Sequence, residues 1–232
     1  MKFKFFFLAV LFSLNSFTQV SMFGKNPLIN KENFDKQRMH FGYFLGFSSY
    51  DYQFSYLTVG KDIELKTTTG FNVGLVGNLR LNNYFDLRFE PGFYATQRNL
   101  TYPNIEDSVD RLREVKAANL HFPLLLKYSA LRTGNVKPFL LGGVSTTLNL
   151  GSNAKATDDN SSNRFRVKTW TQSYEVGFGL DLYLEYFKFS PSIRGVFGMN
   201  DELIRDKDPN SPWTGNIESM KTRAVFINFT FH

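Results

Sequence analysis

From His40 onward, apolar side chains recur at every second position, the period at which residues leave the same face of a β-strand. Phe41, Tyr43, Leu45 and Phe47 fall on one face and His40, Gly42, Gly46 and Ser48 on the other, with Phe44 the exception on the polar side. The alternation then sets Phe71, Val73, Leu75, Leu79 and Leu81 against Asn72, Gly74, Asn78 and Arg80. In a third run Phe85, Leu87, Phe89, Pro91 and Phe93 oppose Asp86, Arg88, Glu90, Gly92 and Tyr94, and in a fourth Leu120, Phe122, Leu124, Leu126 and Tyr128 oppose Asn119, His121, Lys127 and Ser129. A fifth run, Gly- and Thr-rich, extends from Val136 to Leu150. The sixth places Tyr174, Val176, Phe178, Leu180, Leu182 and Leu184 opposite Ser173, Glu175, Gly177, Gly179, Asp181 and Glu185. A seventh runs from Phe187 to Met199 with Arg194 on its polar face, and an eighth turns Val225, Ile227, Phe229 and Phe231 away from Asn228 and Thr230. Pro91 and Pro123 each remove a ladder donor, so a bulge or irregular register is expected at both.

The connections between these eight strands alternate in length. Asn82-Asn83, Arg132-Thr133-Gly134-Asn135 and Glu185-Tyr186 are tight turns, whereas the segments near Asp51 to Thr69, Arg98 to Lys116, Gly151 to Val167 and Asn200 to Lys221 run to about 20 residues. An even strand count with short turns at one end and long loops at the other is the signature of a transmembrane barrel, and strands of about 10 residues suit a tilted crossing of the bilayer. The expected fold is therefore all-β: an eight-stranded antiparallel transmembrane β-barrel with short periplasmic turns, long extracellular loops and both termini periplasmic. Alternation alone does not tell inside from outside. A soluble lipocalin-like carrier would turn the same apolar stripes inward around a ligand. The charges on the polar faces, namely Asp86, Arg88, Glu90, Lys127, Glu175, Asp181, Glu185 and Arg194, favour the membrane version, because charge is costly at the bilayer midplane. Since a lumen of eight strands is just wide enough for its own side chains, these charges are expected to pair with one another rather than line a pore.

Composition sharpens this. Twenty-six Phe against 2 Trp and 5 Met suits a surface built from strands. The absence of Cys removes disulfides, thiolate metal sites and a cysteine nucleophile. A net charge of +6 is spread without a basic run, so no nucleic-acid partner is indicated. The first residues, Met1-Lys2-Phe3-Lys4 and then Phe5 through Leu14, form a basic start and a short apolar centre followed by small residues, as in a secretory signal peptide cleaved near Thr18 and Gln19. The organisation expected is a signal peptide over 1–18, a periplasmic N-terminal segment over 19–39 and an outer-membrane barrel over 40–232. Only His40, His121 and His232 could serve as bases or ligands, and no Gly-x-Ser-x-Gly, His-x-x-x-His or phosphate-loop pattern occurs. No convincing Ser and Asp partner accompanies His40 or His121. Asp158-Asp159 lacks the spacing of a calcium loop and reads as a solvated loop. The chain is thus expected to be no enzyme and to need no cofactor or metal.

Between Asn30 and Gly46, the elements Phe34-Asp35-Lys36 and His40-Phe41-Gly42 resemble the start of the PorT family of outer-membrane proteins from Bacteroidota. Phe187 through Arg194 and Lys221-Thr222-Arg223 are similar to the same family, with Ser192 in place of its usual acidic residue. Phe122 through Tyr128 with Lys137-Pro138-Phe139 resembles a pattern shared by many small barrels of that phylum. The resemblance spans nearly the whole mature chain. It implies a role in type IX protein secretion, and in gliding motility in some members, with other secretion components as partners beside the outer-membrane lipid. An eight-stranded barrel is too narrow to pass folded cargo, so the implied role is accessory. Phe23, Leu28, Ile29 and Phe34 are more apolar than a free tail requires and are the candidate partner contacts, unless they plug or brace the periplasmic rim.

Overall fold

The alternating runs all form strands, and their ladders close on themselves. The computed structural model describes residues 29–58, 63–102, 105, 111–154 and 165–232, the side chains of 113–117 aside. After a short 3-10 turn at Phe34–Lys36 come β1 (Met39–Tyr56), β2 (Glu64–Thr67), β3 (Thr69–Arg80), β4 (Phe85–Phe89), β5 (Gly92–Thr101), β6 (Leu112–Ser129), β7 (Val136–Asn149), β8 (Trp170–Tyr183), β9 (Lys188–Gly198) and β10 (Ile217–Phe231). Neighbours pair antiparallel in order, and β1 pairs with both β3 and β10, which completes a ring. β4 and β5 occupy one ring position, since both pair with β3 on one side and β6 on the other. β2 continues β3 along β5. The ring therefore has eight positions.

The irregular register expected at the two prolines is not there. Across Pro91 the ladder keeps step, with Gly77 opposite Phe89 and Gly74 opposite Gly92. Across Pro123 it runs unbroken from Asn119 opposite Asn149 to Ser129 opposite Phe139. Each proline costs one bond of a reciprocal pair and no more: Leu75 N–H still donates to the Pro91 carbonyl at 3.0 Å, and Glu90 N–H to the Pro123 carbonyl at 3.4 Å. Pairing on both sides holds the ladder in register through both prolines.

Side-chain direction separates the membrane barrel from the lipocalin-like alternative. Phe41, Leu75, Leu140 and Phe178 are 57–71 % exposed on the outer face, whereas Arg88, Lys127, Glu175, Asp181 and Arg194 are buried inside. A belt of bare Phe, Leu and Val around a charged interior is stable only in lipid, and the closed ring leaves no backbone group unpaired there. The soluble-carrier reading is overturned on this point. Phe44, the exception in the first polar face, points inward and is fully buried. A Cβ at Gly74 or Gly92 would sit 2.5 or 2.6 Å from its ring, so these glycines make room for it.

At 18 residues each, β1 and β6 exceed what one bilayer crossing needs, and they project beyond it on the side of the long connections. Parts of the segments expected as loops are thus strand: Tyr52, Leu100, Ile217 and Met220 from the strands, with Tyr102 just beyond β5, bury against Phe165, Val167 and Leu203 in an apolar extracellular cap. At the opposite end the turns are as short as expected. Asn82 Oδ1 accepts from the N–H groups of Tyr84 and Phe85, Gly134 supplies the positive φ of 58° for the next turn, and Leu184 N–H bonds Phe187 O across the third. Glu185 belongs to that third turn and is exposed. It is not an inward residue of the sixth strand, because β8 ends at Tyr183 and the alternation stops with it.

Candidate functional site

Among the described residues the lumen gathers buried charge, and its strand residues arrive there by period alone. Arg88 comes from β4, His121 and Lys127 from β6, Glu175 and Asp181 from β8, Lys188 and Arg194 from β9, and Glu90 lies between β4 and β5. Two clusters result. In the central one Glu90 forms ion pairs with Arg88 Nε at 2.9 Å and Arg194 Nη1 at 2.8 Å. Glu175 faces the same Arg194 at 3.5 Å and bonds His121 Nε2 at 2.7 Å. Tyr94 lies 3.5 Å from Arg194 through its hydroxyl. In the second cluster, nearer the periplasm, Asp181 bonds Lys127 at 2.6 Å, Ser190 at 2.7 Å and Lys188 at 3.5 Å. All these groups are nearly inaccessible, so each charge depends on its partner rather than on water. Asp86 stands apart from both clusters: it is half-buried and lines the periplasmic mouth.

His121 also has the hydroxyl and carboxylate partners that sequence inspection did not find. Thr147 Oγ1 lies 2.8 Å from Nδ1 while Glu175 holds Nε2, a hydroxyl–imidazole–carboxylate relay of the kind nucleophilic hydrolases use. The space beside it is a void of about 20 Å³, too small for any ester or peptide. Glu175 also answers Arg194, so the relay here orders the core.

The periplasmic mouth is closed by the chain's own N-terminal segment. Phe34 stacks on His40 at 4.3 Å, meets the edges of Tyr183 and His232 and lies under the Lys188 ammonium at 4.8 Å. Asp35 accepts the Tyr183 hydroxyl at 2.7 Å and faces Lys137 at 3.9 Å, while Arg80 donates to its backbone carbonyl. Arg132 lies over the Tyr183 ring at 3.7 Å and donates to the carbonyl of Asn30, whose N–H bonds Asn135 Oδ1. Phe34 is therefore spent on the rim. Ile29 is 57 % exposed, and Phe23 and Leu28 lie outside the described residues, as do residues 1–18, where a signal peptide is expected, and Asp158-Asp159. A cavity of about 180 Å³, lined by Asp35, Arg80, Asp86, Arg132, Lys137 and Lys188 among others, remains beneath the plug.

Several of these residues escaped the sequence reading, and most did so narrowly. Lys188 keeps phase with Arg194 inside the seventh run and Tyr183 with Asp181 inside the sixth, while Arg98 follows from extending the phase of Arg88 along the next strand. Asp35 carries no such signal, because it is not on a strand.

Over residues 21–203 the chain matches a family model described as outer membrane protein beta-barrel domain. Similar solved structures include OprG from Pseudomonas aeruginosa, at 15 % identity over 84 % of this chain and 94 % of that one, with a TM-score of 0.44. Neisserial surface protein A is 12 % identical over 84 % of this chain and 98 % of its own, with a TM-score of 0.45. Ail, the attachment invasion locus protein of Yersinia pestis, is 12 % identical over the same shares, at 0.37. No curated protein matches in sequence.

Proposed function

This chain belongs to the family of outer membrane protein β-barrel domains and resides in the bacterial outer membrane, and on that premise we propose that it is a non-enzymatic accessory component of type IX protein secretion. The observation that carries the reading is a lumen filled at three levels, by the apolar cap, the two ion-pair clusters and the Phe34 plug. A barrel so filled serves an export machine by assembling, anchoring or regulating its larger parts rather than by conducting cargo. The choice of machine rests on the PorT-like elements, among them Phe34-Asp35-Lys36 and His40-Phe41-Gly42. In this reading residues 1–18 are removed on export, and the segment from Ser21 to Ile29, leading into the docked plug, meets periplasmic partners through Phe23, Leu28 and Ile29.

A strain lacking this protein should retain cargo bearing type IX signals, and the intact gene should restore secretion. Normal secretion without it would sink the proposal. The cavity at the periplasmic mouth favours a second reading, a barrel that takes up a small solute. That reading expects normal cargo secretion together with a growth defect confined to particular nutrients.

A further inference from the structure

Arg98 is a buried cation that the two ion-pair clusters leave out. It projects inward from β5, is 2 % exposed, and packs over the rings of Tyr52 at 4.1 Å and Tyr50 at 5.0 Å. Among the described residues its Nε and Nη1 have no hydrogen-bond partner and it makes no ion pair. Arg88, Arg194, Lys127 and Lys188 each face a carboxylate. A buried guanidinium without a counter-charge is expensive. The acid that shares its chamber, Glu202, spends its oxygens on the N–H of Thr222 at 3.0 Å and the Thr222 hydroxyl at 2.8 Å. Burial pushes the Glu202 carboxyl up against the pull of Arg98, which favours its neutral form. The void of about 20 Å³ is lined by Arg98, Glu202, Asn119, Thr171, Ser173 and Thr222, among others. A water needs about 10–15 Å³ by this measure, so a single halide-sized ion fits and a tetrahedral oxyanion does not.

We propose that this chamber, beneath the extracellular cap, binds one small monovalent anion of halide size through Arg98 Nε and Nη1 and the surrounding hydroxyls. The anion takes the place of the carboxylate that every other buried cation in the lumen has. The titratable groups around it are Tyr50 and Tyr52 on β1, Arg98 on β5, His121 on β6, Glu175 on β8 and, between β9 and β10, Glu202 with its neighbour Asp201. His121 and Glu175 satisfy each other, so Glu202 sets the pH response: its ionised form competes with the anion, and binding tightens as pH falls.

The test uses the full chain folded in detergent, with thermal unfolding followed in chloride and in gluconate at equal ionic strength, and diffraction from crystals grown in sodium bromide. The unfolding midpoint should rise with the logarithm of chloride concentration, the rise should vanish in Arg98→Gln, and one bromide anomalous peak should lie within hydrogen-bonding reach of Arg98. Glu202→Gln should keep the chloride response and lose its pH dependence. The bromide map needs no variant, so it decides the matter even if Arg98→Gln does not fold. A midpoint indifferent to chloride, with only water beside Arg98 in the bromide crystals, would overturn the proposal.

Discussion

Glu90 answers two guanidinium groups that are both 1 % exposed. Removing one member of a buried ion network leaves a charge with neither partner nor water, at a cost of about 3–5 kcal/mol. Glu90→Gln should therefore lower unfolding stability in lipid by about that amount. Arg205→Ala breaks a pair with Asp201 whose arginine is 49 % exposed, and it should cost no more than about 1 kcal/mol. Equal losses in equilibrium unfolding would show that the central cluster is not what holds the lumen. Glu202 supplies a pH dependence. Its carboxyl is held above the ordinary carboxylate range, chiefly by burial, so the folded cap binds its proton more tightly than the unfolded chain does. That stabilisation is complete below the ordinary carboxylate value and is lost as pH rises through the raised folded value. Amide protection factors around Glu202 and Thr222, corrected for intrinsic exchange, should fall from pH 5 to pH 8, and in Glu202→Gln they should not.

Strands were the most legible elements, because one period serves burial, pairing and lipid exposure at once. Tyr50, Tyr52, Phe54 and Tyr56 continue the alternation of β1 beyond the bilayer, into the segment expected as a loop. There the phase is the same but the solvent outside is water, so the inward face turns aromatic and builds the cap. Lipid depth gives the element-scale prediction. Val176 is exposed on the outer face midway along β8, and Tyr186 is exposed in the periplasmic turn after it. Val176→Lys should destabilise the barrel by about 2–4 kcal/mol and Tyr186→Lys by at most about 1 kcal/mol. If the rim substitution costs as much as the central one, the outer face of β8 does not cross the membrane as described.

At the scale of the molecule, the cap, the ion clusters and the plug act in series. Purified protein reconstituted in planar bilayers should therefore carry no measurable ion current, and release of the plug alone, by Asp35→Asn with Phe34→Ala, should not open one. Steady conductance in the unaltered chain would contradict a filled lumen. The amino-acid sequence by itself determined the period-2 faces, the eight strands, the short turns and the segregation of charge, because each follows from local chemistry repeated along the chain. Only the tertiary structure decided which face meets lipid, that the ladder keeps register through Pro91 and Pro123, and that Asp35, Tyr183, Lys137 and Phe34 meet at the mouth. Those outcomes depend on closing the ring, which brings residues about 150 positions apart, such as Asp35 and Tyr183, to hydrogen-bond distance, and no pattern along a strand encodes such a meeting.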